Sequence, residues 1–105
     1  MTYTADAKPI YAAKCAPCHT TDDEGGVDFA AVYADTQKAA DPTVAPDCTA
    51  TDTVGTCTLI RIKDGSMPDM AGCTGNPTTD AAKAACLTAA EQATLQQWIT
   101  GGEVQ

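Results

Sequence analysis

Histidine and arginine each occur once in this 105-residue chain, as His19 and Arg61, and that scarcity narrows what the protein can do. One histidine cannot supply a zinc centre built from several imidazoles. Basic residues of any kind are few, 6 against 14 acidic ones, for a formal net charge of −8. Such a balance opposes nucleic-acid binding and attachment to anionic membranes, and it favours a partner that offers a basic face. No apolar run approaches the length of a membrane-spanning helix. Large side chains are scarce too, with one Trp, one Phe and three Tyr among many alanines. The length suggests a single domain over residues 1–105. Its own side chains would make only a thin core.

What the chain does have is Cys15-Ala16-Pro17-Cys18-His19. Two thiols three positions apart, with a histidine directly after the second, form the attachment signature of a c-type haem. Each part has a chemical reason. The cysteines can add across the two porphyrin vinyl groups, and the adjacent imidazole can take the iron as proximal ligand. Two plainer readings compete. Half of a zinc site would need a second closely spaced ligand pair. The other cysteines, Cys48, Cys57, Cys73 and Cys86, contain no second C-x-x-C. A thioredoxin-like redox pair belongs between a strand and a helix of a βαβ unit, and nothing around Cys15 reads as a parallel sheet. Haem attachment is the expected use, and a buried macrocycle would add the apolar mass that the core lacks.

The rest of the chain reads as short helices separated by loops. Residues 1–8 look like a short arm, and Pro9 suits the first turn of a helix that carries Tyr11 into the haem motif. Tyr11 stands four residues before Cys15, on the same helical face, where a core aromatic is expected. Acidic residues 20–28 contain Gly25-Gly26, a loop signal. Residues 29–34 read as a short helix with Phe29, Val32 and Tyr33 on one side. Residues 40–54, rich in Pro, Asp and Thr, read as irregular. The apolar run 57–63 fits strand or helix equally, and Asp64-Gly65 ends it. Loops follow at 66–72 and 75–80. Thr88 and Glu91 are spaced as a capping box. Leu95, Trp98 and Ile99 recur at helical spacing, and Gly101-Gly102 stops that helix.

An iron held by His19 has a second axial position, and no other histidine exists to fill it. Thioether sulfur suits an electron carrier there. Met67 and Met70 are the only internal methionines, and Met67, held between a Gly-Ser turn and Pro68, is the favoured one. At this point the chain resembles the class I c-type cytochromes. The likeness rests on three segments in the family's order: residues 9–19, Leu59 to Pro68 reading Leu-Ile-Arg-Ile-Lys-Asp-Gly-Ser-Met-Pro, and residues 87–102 with Leu-Thr-x-x-Glu and Leu-x-x-Trp-Ile. The resemblance implies an all-α cytochrome c fold of three to five short helices around one covalently bound haem. In it the first and last helices would cross, and the segment 57–63 would be helical. It implies His19 and Met67 as iron ligands, with Cys15 and Cys18 as the attachment points.

The four remaining cysteines depart from the family pattern. They allow three pairings. Cys48–Cys57 and Cys73–Cys86 close the shortest loops and are expected, each stabilising by roughly 2.5–3 kcal/mol in the chain-entropy account. The second would tie the end of the Met67 loop to the start of the last helix. An even remainder of cysteines suits an oxidising compartment, so a periplasmic or other extracytoplasmic location is expected, with any export signal removed. Arg61 reads as a solvent-facing helix position rather than a propionate contact, Trp98 as a packing residue, and Asp22-Asp23-Glu24 as a solvated loop.

The functional expectation is a one-electron carrier, not an enzyme. It would be a monomer working with redox partner proteins through a basic surface on the partner. Two other readings stay open: a haem domain of a larger oxidoreductase, and a gas-binding or peroxidase-like protein with a labile sixth ligand. A peroxidase would need a distal histidine and arginine that the chain has little means to supply.

Overall fold

Helix begins almost at once. The Thr2 hydroxyl accepts from the Ala5 amide, and the Asp6 carboxylate accepts from the Thr2 amide, so the first turn is capped from both sides. In the computed structural model, which describes every residue except 17, 21–23, 69 and 70 and the side chain of residue 24, a π-helical turn spans Tyr3–Ala7 and runs into α1, Lys8–Lys14. A 3₁₀ turn at Glu24–Gly26 and the short α2, Tyr33–Thr36, precede two longer helices. These are α3, Val54–Lys63, and α4, Ala89–Thr100. No strand forms among the described residues; an isolated bridge pairs Ala39 with Thr53. The protein is all-α, with long irregular connections.

The first turns and α2 are built differently from the sequence expectation. Residues 1–8 are not a loose arm: Tyr3 and Ala7 are buried, and the Tyr3 and Thr4 amides donate to the Val104 and Gln105 carbonyls at 2.7 and 3.2 Å. The helix expected at 29–34 starts later, at Tyr33, and Val32 is exposed. Phe29 is spent elsewhere, on the histidine described below.

The ambiguous run 57–63 is helical and extends back to Val54, because Thr53 caps it by accepting from the Thr56 amide. The capping box at Thr88 and Glu91 forms with both bonds, and Gly101 terminates α4. Trp98 and Tyr11 are fully buried and meet edge-on with ring centroids 6.3 Å apart, while Tyr3 lies 6.2 Å from Trp98. The first and last helices therefore meet through aromatic rings, the arrangement in which such pairs add most beyond simple burial.

One contact had no precursor in the sequence reading. Gly102 takes φ 97° and Glu103 φ 54°, which turns the chain back after α4. The Glu103 carboxylate is thereby buried at the N-terminus of α3. It accepts from the hydroxyls of Thr53 at 2.7 Å and Thr56 at 2.8 Å and from the Gln37 amide at 3.2 Å. A negative group at a helix N-terminus meets the positive end of the helix dipole. The left-handed backbone at a non-glycine residue has a cost, and these bonds offset it.

Both disulfides pair as expected, Cys48 with Cys57 and Cys73 with Cys86. The first fixes the loop over residues 40–48 against α3, in a small satellite core with Ala40, Ala45 and Ile60. The second joins the loop after α3 to the residue before Leu87. Two bridges in so small a chain fit an oxidising, extracytoplasmic compartment. Among the described residues, no helix is long and apolar enough to cross a membrane.

Candidate functional site

A cavity of about 550 Å³ opens between the C-terminal end of α1, the loop over residues 39–45, and α3 with the loop that follows it. That volume lies within the range of about 300–1,000 Å³ usual for ligand and cofactor sites. Most of its wall is apolar, from Val27, Phe29, Val44, Ala45, Val54 and Ile62. Cys15, Cys18, His19 and Met67 all line it. The four residues singled out in the sequence, two of them thiols and two of them candidate metal donors, face one space.

Local backbone explains the placement of the first three. The Cys15 amide donates to the Tyr11 carbonyl and the His19 amide to the Cys15 carbonyl, at 2.8 and 3.0 Å, which fixes both residues just past the end of α1. Cys15 and His19 thus stand one turn apart. Cys15 and Cys18 are both unpaired, although the other four cysteines are bridged. Burial pushes the Cys15 thiol up to about 12, with Cys18 and Glu91 adding to the shift. A redox-active C-x-x-C needs the opposite, a thiol whose pKa is depressed so that thiolate is available.

His19 is held on three sides. Its Nδ1 lies 3.1 Å from the Val27 carbonyl, which can only accept, so the proton resides on Nδ1. In the neutral ring this leaves the lone pair on Nε2, the nitrogen that can ligate a metal. The imidazole stacks on Phe29 with centroids 4.3 Å apart, and the Phe29 carbonyl accepts from the Tyr3 hydroxyl at 2.7 Å. The His19 carbonyl accepts from the Ala30 amide at 3.1 Å. Tyr11, also edge-on to Phe29 at 4.9 Å, finds its partner in Thr58. Because the Thr58 hydroxyl donates to the Gly55 carbonyl, the Tyr11 hydroxyl is the donor in that pair.

Met67 reaches the cavity from a tight loop at the end of α3. The Ser66 and Met67 amides both donate to the Arg61 carbonyl at 3.1 Å, and the Ser66 amide is shared with the Asp64 carboxylate, which accepts from it at 2.8 Å. Arg61 is half-buried and lines the cavity, with Nε donating to the Ser66 hydroxyl. It is therefore not the plainly solvent-facing residue expected from its helical position. Lys14, whose role the sequence did not suggest, binds the Ala84 and Cys86 carbonyls and pairs with Glu91 at 3.6 Å. Met70 and most of the Asp22-Asp23-Glu24 run lie outside the described residues. The cluster of Cys73, Asp80 and Cys86 is no metal site as it stands, since its two sulfurs are bonded to each other and the Asp80 carboxylate accepts from Thr74 and Gly75 amides.

The donor set meets the demands of an iron porphyrin. Two free thiols lie beside an imidazole fixed through Nδ1, a thioether lines the same cavity, and the wall is large and apolar. No family model, curated protein or solved structure matches this chain.

Proposed function

We propose that the chain is a monohaem c-type cytochrome, a one-electron carrier with one covalently attached haem and His19/Met67 axial ligation. The observation that carries this reading is the convergence of Cys15, Cys18, His19 and Met67 on one apolar cavity. A bound iron porphyrin supplies one-electron chemistry by cycling between ferric and ferrous iron.

The chain's own residues hold and tune that group. Cys15 and Cys18 anchor it through two thioethers. His19 offers Nε2, and the bond from its Nδ1–H to the Val27 carbonyl sets the tautomer and raises the basicity of the ligand. The Phe29 stack opposes rotation of the imidazole. Met67 offers a soft sulfur that favours the reduced state. Val27, Val44, Ala45, Val54 and Ile62 exclude water, and a dry, rigid surrounding keeps reorganisation small when charge changes. With His19 and Met67 both donating, a bound iron would offer substrate no vacant position. The acidic balance of the chain suits a partner with a basic docking face, met at a rate that falls as salt rises. The bridges and the attachment chemistry together fit a periplasmic carrier.

The test is an absorption spectrum of the matured protein beside Met67→Ala and Met70→Ala. The wild type and Met70→Ala are expected to be low-spin with a methionine–iron charge-transfer band, and Met67→Ala to lose it. A wild type with high-spin ferric haem and rapid carbon monoxide binding would point instead to a gas-binding protein.

A further inference from the structure

We propose that the Cys73–Cys86 bridge, together with the Asp80 carboxylate beside it, is the positioning device that keeps the Met67 sulfur in the cavity. This rests on the reading of Met67 as an iron ligand. The loop that carries Met67 is secured to α3 on its incoming side by the Arg61 carbonyl, which takes two amides. On its outgoing side, the described local bond is the Ala71 amide to the Pro68 carbonyl, at 3.4 Å. What closes the loop comes from residues 73–75.

Those residues lie directly on the end of α3. A Cβ placed on Gly75 would stand 2.6 Å from the Lys63 carbonyl carbon and 2.7 Å from the Ile62 oxygen, closer than real Cβ contacts come. Gly65 faces the Cys73 and Thr74 carbonyls in the same way, at 3.1 and 3.2 Å. Both glycines also have positive φ. The backbone after Met67 is thus pressed onto the backbone before it, and no side chain fits between. Asp80 knots this crossing by accepting from the Thr74 amide, the Thr74 hydroxyl and the Gly75 amide at 2.9–3.1 Å. These bonds hold its carboxyl below the usual range.

From the crossing, Cys73 is bonded to Cys86, and the Cys86 carbonyl accepts from Lys14 Nζ at 3.0 Å. Lys14 is the residue before Cys15. Lys83 adds a bond to the Gly72 carbonyl. One covalent bridge and the Lys14 hydrogen bond together therefore link the segment that carries the thiols to the loop that carries the thioether. The other bridge acts elsewhere: Cys48–Cys57 fixes residues 40–48 to α3, and its link to the Met67 loop is the Asp47 carboxyl against Asp64 rather than a covalent tie. The two close loops of similar length and so stabilise the chain by similar amounts, which makes one the control for the other.

The experiment compares Cys73→Ser/Cys86→Ser with Cys48→Ser/Cys57→Ser in the matured protein. The readouts are the methionine–iron band, the binding rate of added imidazole, and hydrogen exchange at the Met67 amide. Imidazole can take the iron only after Met67 leaves. Loss of the Cys73–Cys86 bridge is expected to weaken the band and raise the imidazole rate by about tenfold or more, since binding then waits on an easier local opening. Loss of Cys48–Cys57, which holds residues 40–48 of the cavity wall rather than the Met67 loop, is expected to lower thermal stability while raising the imidazole rate several-fold less than loss of Cys73–Cys86 does. Asp80→Asn, with both bridges intact, should raise the rate in the same direction, and it serves if the serine pair fails to mature. Equal effects from the two bridges, or an unchanged rate in Asp80→Asn, would overturn the clamp alone. A wild type without the methionine–iron band would overturn the axial reading beneath it as well.

Discussion

Replacing Cys15 and Cys18 together by serine is expected to give a protein that keeps no chromophore after denaturation and that folds poorly. Each single replacement should leave one thioether and a retained, spectrally altered haem. The first effect follows from chemistry, since a hydroxyl does not add to the vinyl groups as a thiol does. The second follows from size. The cavity measures about 550 Å³, and its wall carries much of the chain's limited aliphatic surface. Unfilled, that surface contributes little, and the core between the first and last helices is left with an open apolar face beside it. Stability should therefore track occupancy, as it does whenever a group binds the folded state alone. Chemical denaturation of the matured wild type and the double variant checks this, and equal midpoints would contradict it.

Glu103→Ala is expected to be among the most damaging substitutions outside the cavity, lowering stability by roughly 3 kcal/mol, since bonds to a charged group contribute about 1.5–3 kcal/mol each and several are lost together. The variant leaves the Thr53 and Thr56 hydroxyls and the Gln37 amide without their acceptor and removes negative charge from the α3 N-terminus. A second substitution identifies the cause. A Cβ on Gly55 would stand 2.9 Å from Glu103 Oε1, so Gly55→Ala should destabilise although alanine is the better helix former by about 1 kcal/mol. In the Glu103→Ala background that contact is gone, and Gly55→Ala should stabilise. A change of sign in the double-mutant cycle, read by urea denaturation, is the expected result; additive effects would show that the carboxylate does not rest on the helix.

The features legible in the sequence were those carried by short-range chemistry. The thiol pair with its histidine, the methionine before Pro68, the capping box at Thr88 and the glycine stop at Gly101 each involve residues a few positions apart, where spacing alone restricts geometry. The disulfide pairing belongs with them, because short loops made it readable. What escaped notice depends on contacts between distant segments. Residues 1–8 are ordered by the carbonyls of Val104 and Gln105, at the other end of the chain. Glu103, two residues past the glycine stop at Gly101, is a buried anchor for the start of α3. Phe29 was assigned to a helix face, yet it supports His19, and that demand moves the start of α2 to Tyr33. The four candidate site residues could be named in advance, whereas their supports, Val27, Phe29 and Lys14, could not. Thr53 was an available signal for the start of α3, overlooked because residues 40–54 as a whole read as loop.

The most direct test of the central claim is the intact mass of the wild-type chain, matured in a host with c-type cytochrome assembly machinery and measured under denaturing conditions. The account predicts the polypeptide plus one iron porphyrin, with no thiol left to alkylate. The polypeptide mass alone, with Cys15 and Cys18 both open to alkylation, would contradict it.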